Sequence, residues 1–229
     1  MKKKYLSIIG CCAAVIGSAA VHAADKRSEV LVKLPDWQGV WRVTGSGDYL
    51  SGDKNNQPPF KDGWVEQSAD EGEQDSADRY CAIAMPRLIG SSQSFEIIVT
   101  PDETLVYYAS REIRHIWTDG RDHPPEEERW PMFWAESKGT WQGQTLMVNT
   151  IEVHGDLWID QTGAKLSDQA QISERISQVD DNHLQNQVTI TDPLVLQEPW
   201  SFTRTYQRLP DQELREQGCE WTAGQAANQ

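Results

Sequence analysis

The chain is poor in several things that would fix a common class. It has four cysteines in 229 residues, and only Cys81 and Cys219 lie beyond the first dozen positions. It has no G-x-S-x-G elbow, so the usual signature of an acyl-transfer hydrolase is missing. Positive charge is scarce: 21 Lys and Arg stand against 35 Asp and Glu, a net charge of −14. That balance argues against nucleic acid and against anionic membrane surfaces as partners. Long apolar runs are confined to Tyr5–Val21, which Gly and Ser interrupt and which is at the short end of the ~20 residues needed to span a bilayer. No membrane span is expected. Helical periodicity is weak throughout, and alternation dominates from residue 94 onward.

What is present at the N-terminus reads as an export signal. Lys2, Lys3 and Lys4 precede the apolar run, and Val21-His22-Ala23 offers small residues for cleavage after Ala23. Ile8-Ile9-Gly10-Cys11 gives a second reading, a loose lipobox with a very short apolar lead. The expectation is a signal peptide at 1–23 and one domain at 24–229, periplasmic or secreted. Loss of the three lysines deepens the acidic excess by three. In an oxidising compartment Cys81 and Cys219 are expected to form a disulfide. It would close a loop of more than a hundred residues, for which chain entropy gives about 4–5 kcal/mol. A nucleophilic cysteine is the rival reading.

The strand pattern predicts an all-β fold. Gln38–Thr44, Ser94–Thr100, Thr104–Trp117, Lys138–Gln142, Thr145–Val153, Gln169–Val179, His183–Thr191 and Trp200–Arg208 make about eight strands. Thr104–Trp117 reads as one long strand or a strand with a bulge. Gln142-Gly143-Gln144 and Asp180-Asp181-Asn182 mark hairpin turns. An antiparallel meander of this kind closes into a barrel. Residues 45–80 break the pattern with Gly, Pro, Asn and an acidic run, and read as a long loop, either a lid or a solvated insertion.

Two strands place a charge on an apolar face. Glu174 lies between Ile172 and Ile176, and Arg204 lies between Phe202 and Tyr206. A charge facing a core needs a partner, so Glu174 and Arg204 are expected to be paired internally, one candidate pair being each other. The pair is either structural or a ligand-handling group of perturbed pKa.

Residues 114–124, RHIWTDGRDHP, concentrate the polar chemistry. A strand end that carries polar groups into a Pro-rich loop is a common place for a site. Arg114, His115, Asp119, His123 and Glu174 are the candidates for acid–base or oxyanion roles. Arg121, Tyr108, Trp117, Trp134 and Arg204 are the candidates for ligand contacts. Neither a metal nor a cofactor is expected, because the His115, Asp119, His123 spacing matches no compact zinc motif. Ten tryptophans, among them Trp130, Trp134 and Trp141 beside Phe133, either staple the core or line a pocket for an apolar or aromatic ligand.

Two resemblances follow from quoted residues. Gly39-Val40-Trp41 on the first strand with an arginine on the last resembles the lipocalin-like (calycin) barrels, in which that Trp packs across the barrel floor under that Arg. The segments DWQGVW (36–41), CAIAMPR (81–87), RHIWTDGRDHP (114–124), GTWQGQTLMVNT (139–150), LSDQAQISERI (166–176) and VTITDPLVLQEPWSFTRTYQR (188–208) resemble a family of secreted bacterial proteins of unassigned function. That resemblance implies a signal peptide, a lipocalin-like barrel and a cysteine pair, but no mechanism. Its pattern has acidic residues where this chain has Gln144 and Asn149, and often a His near Glu136.

The sequence therefore predicts a secreted or periplasmic lipocalin-like barrel that binds a small, largely apolar or aromatic ligand. The rival is a cofactor-independent isomerase, hydratase, cyclase or lyase on the same scaffold, with His115 or His123 moving the proton. Fold alone does not choose between them.

Overall fold

Nine strands close into a barrel in the computed structural model, which describes residues 34–64, 83–155 and 157–216. They are β1 (Val40–Val43), β2 (Phe95–Val99), β3 (Glu103–Tyr108), β4 (Ile113–Trp117), β5 (Glu136–Gln142), β6 (Thr145–Ile151), β7 (Gln171–Asp180), β8 (His183–Thr191) and β9 (Trp200–Arg208). Strand order follows chain order and β9 pairs with β1. Every pairing is antiparallel except β4 with β5, where Ile116 lies opposite Ser137 in a parallel register. Closure removes free sheet edges. The described residues from Pro35 on belong to one compact unit.

The count is nine, not eight, because Thr104–Trp117 is two strands. Ala109–Glu112 turns the chain between β3 and β4, with Arg111 at φ 79° and its N–H donating to Tyr108 O at 2.9 Å. No Gly, Pro or Asn marks this turn. The Glu112 carboxylate holds it instead, accepting from Ser110 Oγ and from Ile83 N–H. The buried Glu112 thus does the work usually left to a turn residue.

Because β4 and β5 are parallel, they need a crossover. Residues 118–135 supply it, running back along the outside of the wall.

Alternation sorts the side chains. Val106, Ile116, Leu146, Val148, Ile172, Ile176, Leu184, Val188, Ile190, Trp200, Phe202 and Tyr206 face inward and are buried. Each such side chain contributes about 1.5–3 kcal/mol. Both ends are closed. At one end Trp37 packs on Trp141 at 5.0 Å, and Trp41 Nε1 donates to Trp37 O at 2.9 Å. Arg208 lies 4.6 Å over the Trp41 ring and donates to Gln38 O and Asp36 O. The arginine that covers Trp41 is therefore Arg208, not Arg204. Trp41 pairs with Arg208 across the β1–β9 seam, so the side chains meet by register.

At the other end Leu50, the helical turn α1 (Arg87–Gly90) with Leu88 and Ile89, Ile159, Leu166 and Leu196 plug the barrel. The described part of 45–80 is packed here. Leu50 N–H donates to the buried Asp160 carboxylate at 3.1 Å, and Lys61 N–H to Val195 O at 2.8 Å. Gly52 sits at φ 81°, and a Cβ there would come within 1.7 Å of Arg204 Nη1. Among the described residues the interior is tightly buried: Leu146, Thr150, Ile172, Leu184 and Ile190 are all 0% exposed.

Candidate functional site

The candidate residues fall in three places. The first is inside the barrel. Arg114 on β4 and Glu174 on β7 face each other, 3% and 2% exposed. Arg114 Nη1 donates to Glu174 Oε1 at 3.1 Å, and Nη2 donates to Oε2 in a second, close contact. Arg114 Nη2 also donates to Thr150 Oγ1 at 3.0 Å and Ser137 Oγ at 3.2 Å. Asn186 Nδ2 donates to Glu174 Oε1 at 2.7 Å, and Tyr206 OH donates to Ile89 O at 3.0 Å. Both charges are thus bidentate and further hydrogen-bonded, the arrangement that lets an ion pair survive burial. Burial alone would lower the Arg114 pKa, but the Glu174 charge and hydrogen bond leave it raised. Tyr108 and Tyr206 are held far from ionisation by burial, Tyr206 up at about 12.

Glu174 and Arg204 each have internal partners, but the candidate pairing of the two with each other does not form. Glu174 takes Arg114, while Arg204 Nη2 donates to the Ser46 and Gly90 carbonyls at 2.9 and 3.5 Å near the plugged end. Burial lowers the Arg204 pKa, opposed by Tyr206. Register decides the matter: Asn186 stands opposite Arg204 on β8–β9, and Val188 opposite Glu174 on β7–β8.

The second place is the outer surface. His115 and Trp117 alternate outward from β4 and stack at 5.4 Å. His115 Nδ1 meets Glu103 Oε2 at 3.1 Å. Gly120, at φ 85°, turns the chain so that the Arg121 guanidinium lies 3.9 Å over Trp117. Arg121 Nη2 donates to Asp119 Oδ2 at 2.6 Å. The Arg121 side-chain hydrogen bond, then its backbone one, lowers the Asp119 pKa. Asp119 is therefore committed to Arg121 rather than free to orient a histidine.

The third place is under the crossover. His123 is pinned between Glu136, whose Oε2 meets His123 Nδ1 closely, and Asn149, whose Oδ1 lies 2.8 Å from Nε2. The His123 and Glu136 side chains are each 11% exposed. His123 is thus oriented by a carboxylate at Nδ1 and, at Nε2, by an amide that offers both an acceptor and a donor.

Beside this group is a cleft of about 450 Å³, lined by Arg129, Trp130, Glu152, Asp168, Gln169 and Gln171 among others. Trp130 is 63% exposed at its edge. Glu152 sits at φ 62°, in a region costly for a side-chain residue, with a buried Oε1 that lacks a hydrogen-bond partner. Burial, then the Glu136 charge, raises its pKa, against the pull of Arg129 and His123. Met132 N–H donates to Glu152 O at 2.9 Å and fixes the crossover to the end of β6. Trp134 is also exposed on the crossover.

Sequence reasoning passed over Arg129, Glu136, Asn149 and Glu152 as site residues. Glu136 and Asn149 are neighbours only through the β5–β6 register, in which Lys138 faces Asn149. Glu152 carries no sequence signal; its strain is a backbone property. Among the described residues no group of three His, Cys, Asp or Glu side chains is placed to hold a metal ion. Cys81 and Cys219 lie outside the described residues, as does the signal segment.

No protein-family model matches the chain, and no curated protein does. Among solved structures, wild-type fluorescent protein UnaG aligns at 14% identity and a TM-score of 0.34, covering 76% of this chain and 97% of UnaG. A UnaG mutant aligns at 15% and 0.35, covering 75% and 95%. The barrel is established by its own strand pairing; a likeness at this score says nothing about ligand or site.

Proposed function

We propose that this is an exported, lipocalin-like barrel of the secreted bacterial family its motifs resemble, and that it binds a small molecule in the Trp130 cleft. The observation that carries the reading is the cleft itself. Its lining brings together an exposed indole, Arg129 and a strained, buried Glu152, and its volume of about 450 Å³ is in the range of small-molecule pockets. The ligand has one aromatic or apolar face for Trp130 and a polar edge for Arg129 and the acidic side.

The test is a thermal-shift screen of small aromatic and apolar compounds against residues 24–229. A binder at 100 times its Kd stabilises by about 2.7 kcal/mol, and Trp130→Ala removes that stabilisation. A binder unaffected by both Trp130→Ala and Arg129→Ala overturns the cleft assignment.

One observation favours a second reading, an acid–base enzyme: His123 is held between a carboxylate and an amide in the manner of an oriented proton shuttle. In that case His123→Ala keeps ligand binding and loses turnover. The Cys81–Cys219 disulfide belongs to the same exported reading, and a reductant then lowers the melting temperature of wild type but not of a Cys81→Ser, Cys219→Ser double variant.

A further inference from the structure

The middle of the outer wall of β5 to β8 is poor in acidic residues, which stand only at its ends, Glu136 on β5 and Asp180 on β7. Two rows cross it. Lys138, Asn149, Ser173 and Thr189 are register neighbours in one, and Thr140, Met147, Arg175 and Gln187 in the next. Neither row contains an aspartate or glutamate, in a protein with 35 of them. A groove of about 380 Å³ lies on these rows; its lining also includes Val148 and Glu174, whose carboxylate is turned inward to Arg114. Arg175 is exposed and makes no hydrogen bond or ion pair among the described residues. Lys138 has one long contact, 3.4 Å, to a fully exposed Asp122.

We propose that this groove is a binding site for a small organic carboxylate, independent of the Trp130 cleft. The Arg175 fork matches a carboxylate bidentately, and Lys138 supplies a second positive charge. The two cations stand on strands two apart, about 10 Å across the sheet and about 7 Å along it, with Met147 on the strand between them. Met147 is a floor for an apolar body, and Asn149, Ser173 and Gln187 are hydrogen-bonding neighbours for polar substituents. Local charge governs here. At physiological salt the screening length is about 8 Å, so the distant acidic surface repels an anion far less than a carboxylate within the groove would.

The test is an amide NMR titration of the full mature chain in 150 mM NaCl. The probes are benzoate, phenyl phosphate and benzyl alcohol. Benzoate is expected to give saturable shifts at Met147, Asn149, Ser173 and Arg175, and benzyl alcohol none. Arg175→Gln and Lys138→Gln each weaken benzoate at least tenfold, while the exposed Lys54→Gln and the cleft variant Trp130→Ala leave it unchanged. All four are surface changes, and retained amide dispersion shows that each variant is folded. Shifts that do not saturate, or that survive both groove variants, overturn the site. Phenyl phosphate binding more tightly than benzoate overturns the carboxylate assignment. Loss of binding with Trp130→Ala overturns its independence from the cleft.

Discussion

Two groups, each built around a carboxylate, lie on opposite sides of one wall. Inside, Arg114 meets Glu174; outside, His123 meets Glu136. The same two strands serve both. Ser137 and Thr150 point inward to Arg114, while their neighbours Glu136 and Asn149 point outward to His123. One-residue alternation thus builds two unlike sites. The inner one is sealed, with every charge permanently paired. The outer one is less deeply buried, with the His123 and Glu136 side chains each 11% exposed, and has a cleft beside it. Similar groups are sealed or left accessible according to what surrounds them.

The largest effect should come from opening the inner pair. Glu174→Ala leaves Arg114 buried without a counter-charge and is expected to cost about 3–5 kcal/mol, read by urea unfolding. Arg114→Met with Glu174→Leu together should cost far less, because no unpaired charge remains. Glu136→Ala outside should cost only ~1–2 kcal/mol. Equal costs for Glu174→Ala and Glu136→Ala would break the distinction.

The two plugs come next. Gly52→Ala forces a Cβ into Arg204 at a positive φ and is expected to cost roughly 2 kcal/mol. Arg208→Ala strips the cover from Trp41 and two carbonyl hydrogen bonds, again roughly 2 kcal/mol. Both are measured by thermal unfolding.

A smaller effect is carried by pH. Glu152 has a folded pKa above its ordinary value, so the folded state binds the proton more tightly than the unfolded state. Its contribution is fully present below the ordinary carboxyl pKa and is lost as pH rises through the folded one. Glu152→Gln should remove that dependence. The wild-type minus variant stability should therefore fall between the ordinary carboxyl range and the raised folded pKa. A difference flat in pH would show that burial of Glu152 carries no charge penalty. The smallest effect is expected from Asp119→Asn, whose exposed pair with Arg121 should leave the unfolding midpoint unchanged, as surface pairs usually do.

Much of the wall was legible in advance. Trp200–Arg208 and His183–Thr191 emerge with the bounds their alternation predicts, and Glu174 and Arg204 do need internal partners. The split of Thr104–Trp117 was not legible, because the turn at 109–112 depends on the distant Ile83 N–H and a buried glutamate instead of local turn residues. RHIWTDGRDHP, singled out for its polar chemistry, does not form one site. Arg114 goes inside, His115, Trp117, Asp119 and Arg121 stack outside, and His123 reaches a third place. A strand that alternates faces and then enters a crossover necessarily distributes consecutive residues in this way.

By itself the sequence determined an acidic, β-rich chain with charges on apolar faces, since charge balance and period-two alternation are local properties of residue order. Only the tertiary structure decided the partners. Glu174 joined Arg114, Arg208 covered Trp41, Glu136 and Asn149 took His123, and Glu152 came to lie strained at a cleft. Register between strands far apart in the chain sets which side chains meet, and no residue carries that information alone.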